Sequence, residues 1–102
     1  MNSVSLSNWS DASKGIYASK VGHIVVLTLR SEGEVTVNAS GATGLTGLPS
    51  GWWPDRQFVS TATSGTDILQ LVADPNGSVY IWSNNTEPHS GYLRGNLVFC
   101  VA

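Results

Sequence analysis

Apolar and polar residues alternate along most of this chain with a period of two. That period places successive side chains on opposite faces of an extended backbone, so it predicts β-strands. Residues 15–20 read as a first short strand. Gly22 then opens the strongest one, residues 23–30, whose first half is apolar on both faces, as in a strand covered on both sides. Residues 31–34, Ser-Glu-Gly-Glu, read as a hairpin turn with Gly33 at positive φ. Residues 35–38 return from it with Val35 and Val37 inward. Residues 39–51, rich in Gly, Ser and Thr, read as a long loop anchored by Leu45 and Leu48. The prolines at 49 and 54 flank Gly51-Trp52-Trp53 and predict a rigid corner that Trp52 and Trp53 brace. Strands are expected at residues 58–63, 67–73, 78–83 and 96–101, with turns at 64–66 and 74–77 and a polar loop over 84–90. Asp74-Pro75-Asn76-Gly77 is the strongest turn signal, with Pro at the second position and Gly at the last. Across it, Leu69, Leu71, Val79 and Ile81 share one face, while Gln70, Tyr80 and Trp82 share the other.

No segment reads as a helix. About seven strands, mostly joined by hairpins, predict an all-β fold, a small antiparallel barrel or sandwich with Greek-key-like crossovers. The 102 residues form a single domain, with residues 1–11 read as a polar N-terminal arm carrying Trp9.

Composition narrows the partner. Charged residues are 12% of the chain, against about 25% in ordinary proteins, and the 22 Ser and Thr outnumber them. A net charge of −2 speaks against nucleic acid, which needs a basic stripe. No polybasic surface or long apolar run points to a membrane, and no signal peptide is visible. One cysteine excludes an intrachain disulfide and a Cys-rich zinc site, and Cys100 reads as a small buried apolar residue. So little charge suits a chain that hides surface in an oligomer or meets a neutral polar partner. A homotrimer is expected, in which a neighbour covers the second apolar face at residues 24–27.

The usual catalytic constellations are missing from the sequence. His23 reads as a sheet histidine and His89 as a loop histidine beside Glu87, and neither accompanies a nucleophile elbow. Asp55, Asp67 and Asp74 sit at turns or strand edges, where carboxylates serve the local backbone. No metal-ligand spacing and no phosphate loop occurs, so no cofactor is expected. What remains is a binding constellation. Trp82 and Tyr80 offer aromatic faces, Gln70 an amide, Arg94 and His89 planar donors, and Asp74 a carboxylate. That set suits a sugar or polyol, whose apolar face stacks on an aromatic ring while its hydroxyls take planar donors and acceptors. The same rings would also suit packing under a loop or in a subunit interface.

From Leu48 onward the sequence resembles a known pattern. Leu-Pro-Ser-Gly-Trp-Trp-Pro-Asp-Arg, residues 48–56, is similar to a corner near the C-terminus of many phage tail proteins. The strand pair around Asp-Pro-Asn-Gly-Ser-Val-Tyr-Ile-Trp follows it. With Trp9 and residues 22–37, the run resembles the head domain of receptor-binding proteins from lactococcal-type siphophages. The resemblance implies a trimeric β-barrel head at the tail tip or baseplate of a virion, assembled with other phage tail or baseplate proteins. It implies non-enzymatic adhesion to a bacterial cell-wall saccharide or polyol through an aromatic, a basic residue and acidic or His partners. Trp82 matches that aromatic and Arg94 the Arg before the last strand, so the two are expected to line a shallow site for a neutral or phosphate-decorated saccharide, with Arg94 donating to sugar hydroxyls or a phosphodiester. The acidic and His positions have no match in Leu69-Gln70-Leu71-Val72-Ala73. Two alternatives stand beside this reading: a trimerising or tip-capping tail domain without a receptor site, and a small glycan hydrolase or esterase.

Overall fold

A computed structural model describes residues 6–101. They form an all-β fold of ten strands: β1 (Leu6–Asp11), β2 (Ile16–Val21), β3 (Ile24–Arg30), β4 (Val35–Val37), β5 (Gly41–Gly47), β6 (Phe58–Ser64), β7 (Asp67–Ala73), β8 (Ser78–Ser83), β9 (His89–Gly91) and β10 (Leu93–Cys100). Eight of them make one antiparallel sheet in the order β1-β2-β3-β10-β6-β7-β8-β5, and β4 pairs with β9 in a small second sheet. The sheet curls into a half-barrel around one core. Three hairpin-connected strands, β6 to β8, lie beside β5, which reaches β6 through the long corner. This is the four-strand Greek-key arrangement read in reverse chain order.

Period-two alternation explains the core. Ile16, Val25, Leu27, Leu71, Ile81 and Phe99 point inward and are essentially unexposed. Phe58 packs on Phe99 with ring centroids 6.1 Å apart. The two-residue loops Gly22-His23 and Gly65-Thr66 close tight hairpins between strands in register. At the start of β2, Gly15 adopts φ 73°, and a side chain there would overlap the Arg30 carbonyl. The close approach lets the Gly15 carbonyl accept the Arg30 N–H at 2.8 Å.

Several sequence expectations are corrected. Residues 6–11 of the expected arm form β1, paired with β2 from Leu6↔Val21 to Asp11↔Ile16; residues 1–5 lie outside the described residues. The expected Gly-rich loop contains β5, paired with β8 through a bulge between Gly44 and Thr46. The expected loop over 84–90 ends in β9. These three strands escaped the alternation rule because each is an edge strand or lies in the small ribbon, with few bulky side chains. Residues 31–34 do not close a hairpin, since β4 pairs with β9 and β3 with β10, and Gly33 is not at positive φ. His23 sits in the turn before β3 rather than inside that strand. Cys100 is exposed: Phe99 takes the inward position, so its neighbour must face out. The first half of β3 is covered on one face only within the chain, with Ile24 50% and Val26 47% exposed.

β1 and β5 are the two edges of the curled sheet, and one hydrogen bond fastens them. Thr46 Oγ1 donates to Asp11 Oδ2 at 2.8 Å, and Ser13 Oγ donates to Asp11 Oδ1 at 2.9 Å. The Thr46 hydroxyl, then that of Ser13, hold the Asp11 carboxyl below its ordinary value of 3.8. A depressed folded value stabilises the fold above the unfolded one, and that contribution disappears as pH falls through the folded value. Asp11→Asn is therefore expected to lose less melting temperature than the parent between about pH 5 and about pH 2. Equal losses in the two proteins would contradict the fastening.

Candidate functional site

The hairpin of β7 and β8 builds the principal site. Its turn forms as the dipeptide signals require: the Gly77 N–H donates to the Asp74 carbonyl and the Asp74 N–H to the Ser78 carbonyl, both at 2.9 Å. Gly77 has φ 89°, and a side chain there would strike the Trp53 indole. Trp53 Nε1 in turn donates to the Leu48 carbonyl at 2.8 Å. On the other side of the corner, Trp52 is buried and Lys20 Nζ lies 4.9 Å from its ring centroid. Both tryptophans therefore brace the corner, and the corner holds the hairpin.

The register pairs Gln70 with Trp82, Leu71 with Ile81 and Val72 with Tyr80. Leu69, Leu71, Val79 and Ile81 are buried, while Gln70 and Trp82 stand on the outer face with Tyr80 half-buried beside them. Trp82 is 40% exposed, and its Nε1 donates to Asn84 Oδ1 at 3.2 Å. Asp74 anchors the polar end: Gln57 Nε2 donates to its Oδ1 at 2.9 Å and the Tyr80 hydroxyl to the same oxygen at 3.4 Å. Burial, followed by the negative charge of Asp74, raises the Tyr80 phenol above its ordinary value of 10.0. The phenol is thus a neutral hydroxyl at any physiological pH. Between these groups lies a shallow hollow of about 220 Å³, lined by Gln57, Val59, Gln70, Val72, Tyr80 and Trp82. A second hollow of about 500 Å³ adjoins it toward β5; Tyr80 lines both, and Asp74 lines the second.

Four of the six residues singled out by sequence therefore come together: Trp82, Tyr80, Gln70 and Asp74. Arg94 and His89 do not join them. Arg94 lies on β10, and β6 and β7 stand between it and β8, which puts it about 14 Å away across three strand spacings. Its Nη1 donates to the Ser31 carbonyl at 3.1 Å and the Leu93 carbonyl at 3.0 Å. His89 clasps β9 to the β6–β7 turn, with Nε2 3.0 Å from the Ser64 carbonyl and Nδ1 3.2 Å from Asp67 Oδ2. Arg94 and His89 follow β8 closely in the chain, but the strand order separates them from it. Gln57, Val59 and Val72 were missed. Period two from the inward Phe58 places Val59 outward, so that signal was present in the sequence.

A larger hollow, about 570 Å³, lies on the other half of the molecule. Asn8, Ser10, Tyr17, Ser19, Val26 and Thr28 line its outer side. It belongs to a wider face of β1, β2, β3 and β10 that exposes Val21, Ile24, Val26 and Val98 and carries charge at its Arg30–Arg94 end. Its one amide, Asn8, already accepts from Ser19 Oγ at 2.8 Å. Its indole, Trp9, is half-buried against the core and no carboxylate lines the hollow, whereas the β7–β8 hollow has the exposed Trp82 and, through Tyr80, the Asp74 carboxylate beside it, so the larger hollow is the poorer match for a polyhydroxylated ligand.

No protein-family model matches this chain, and neither does any curated protein sequence.

Proposed function

We propose that this chain is the saccharide-recognising head of a phage receptor-binding protein, a non-catalytic adhesion module at the tail tip or baseplate of a virion. The observation that carries the reading is the outer-face hollow of β7 and β8, where an exposed Trp82 ring stands opposite Gln70 and beside the Gln57–Asp74–Tyr80 network. An open aromatic face takes the apolar side of a sugar ring. The Gln70 amide supplies donors and an acceptor, and the Asp74 carboxylate accepts from hydroxyls, all held on a rigid hairpin. The phage setting rests on the resemblance of residues 48–56 and 74–82 to tail-protein heads, to which the small all-β fold conforms.

A homotrimer completes the proposal. One shallow hollow binds weakly, whereas three on a rigid assembly gain avidity on a repetitive wall polymer. The apolar part of the β1, β2, β3 and β10 face, around Val21, Ile24, Val26 and Val98, supplies the contact surface, leaves its Arg30–Arg94 end outside the contact, and lies on the opposite half from the hollow. Light scattering is expected to give about 32 kDa, three times 10.8 kDa, and the domain is expected to sediment with host cell-wall fragments. A 10.8 kDa species at micromolar concentration would contradict the trimer. A trimer that binds no wall fragment would overturn the receptor reading. That same apolar surface favours the second reading, a trimerising or tip-capping tail domain without its own receptor site, and that outcome would select it.

A further inference from the structure

On the outer face at the end of β3 and β10, Arg30 stands directly opposite Arg94. The Ser31 N–H reaches the Leu93 carbonyl at 3.1 Å, so the ladder bonds flank this pair rather than join it. That is the arrangement in which opposing side chains come closest, with Cα atoms about 4.5 Å apart. Like charges so placed repel, and neither guanidinium forms an ion pair among the described residues. Arg94 is nonetheless held in place, by its two carbonyl bonds and by the Tyr92 ring, whose centroid lies 5.8 Å from its Cζ. The two arginines open onto a hollow of about 330 Å³ that Tyr17, Tyr92, Ser31 and Glu32 complete. With Glu32 counted, the hollow carries a net charge of +1.

We propose that Arg30 and Arg94 form a binding site for a tetrahedral oxyanion, the phosphate or sulfate group of a ligand. One guanidinium fork takes a lone pair on each oxygen of a carboxylate, so the second arginine meets only the remaining lone pairs of a singly charged, planar group. A tetrahedral group has oxygens for both forks and carries the charge that relieves their repulsion. Tyr17 and Tyr92 add hydroxyls and ring faces at the rim. The site stands apart from the Trp82 hollow, on β3 and β10 rather than β7 and β8, and oxyanion binding there does not rest on saccharide stacking at Trp82.

The test is a titration of the whole chain at low salt with sodium phosphate, sodium sulfate and sodium acetate, followed by NMR at the Arg30 and Arg94 side-chain resonances. Phosphate or sulfate is expected to bind at millimolar concentration, at least tenfold more tightly than acetate, and the stronger of the two names the natural group. Arg30→Ala is expected to weaken binding at least tenfold. Arg30→Lys, which keeps the charge but loses the fork, should weaken it about threefold. Glu32→Gln should tighten it about twofold by removing the opposing charge. Acetate binding as well as phosphate, or Arg30→Ala binding like the parent, would overturn the site. Either failure would leave binding of neutral saccharide at Trp82 untouched, and loss of that binding would leave the phosphate titration untouched.

Discussion

Leu71→Ala is expected to destabilise the fold by about 2–5 kcal/mol. Leu71 is wholly buried at the centre of β7, paired with Ser60 on β6 and Ile81 on β8. Gly95 on β10 sits directly beneath it: a side chain at Gly95 would lie 3.4 Å from Leu71 Cδ2. Truncation therefore removes apolar contacts and leaves a cavity that strands pinned on both sides cannot close. In a domain of this size each kcal/mol shifts the melting temperature by about 4–8 °C, so a fall of at least about 8 °C is expected. Gln70→Ala, one position away on the outer face, is expected to shift it by less than about 3 °C. Comparable effects at the two positions would mean that the alternation does not assign the faces as described.

That contrast shows what the sequence could reveal. Where a strand carries bulky residues on its inner face and a strong turn at its end, period and turn chemistry locate it to within a residue or two. The β7–β8 hairpin is such a case, and its site residues followed from it, because register alone puts Gln70 opposite Trp82. β5 is the opposite case. Gly-Ala-Thr-Gly-Leu-Thr-Gly has one large side chain in seven residues, and β8 supplies the hydrogen-bonding partner that makes it a strand. β1 becomes a strand in the same way, through β2. Local patterning carries no record of such partners. The misplacement of Arg94 and His89 has the same origin. Both follow β8 closely in the chain, but β10 inserts between β3 and β6, and His89 is drawn to Ser64 and Asp67. Which strands become neighbours is a property of the whole topology, and that same topology places Arg30 opposite Arg94 across 64 residues of chain.

Trp82→Ala is expected to have the largest effect on binding. Its ring is the main apolar surface of the β7–β8 hollow, and no core residue depends on it, since Ile81 and Ser83 take the inward positions on either side. Loss of an aromatic stacking face is worth about 1–3 kcal/mol for a single site, roughly fivefold to 150-fold in affinity. On a trimer engaging a repetitive polymer the losses compound, so retention on wall fragments is expected to fall below detection while mass and melting temperature remain those of the parent. Trp82→Phe, which keeps a smaller ring, should retain part of the binding. A Trp82→Ala trimer that still sediments with wall fragments would move the site elsewhere on the molecule.

The most direct test follows the tryptophan indole N–H and glutamine side-chain amide NMR signals during titration with solubilised host cell-wall saccharide. The account predicts that Trp82 Nε1–H and the Gln57 and Gln70 side-chain amides shift together and saturably, while the braced indoles of Trp52 and Trp53 hold still. Shifts confined to the face around Tyr17, Ser19 and Val26, or none at all with the trimer intact, would contradict it.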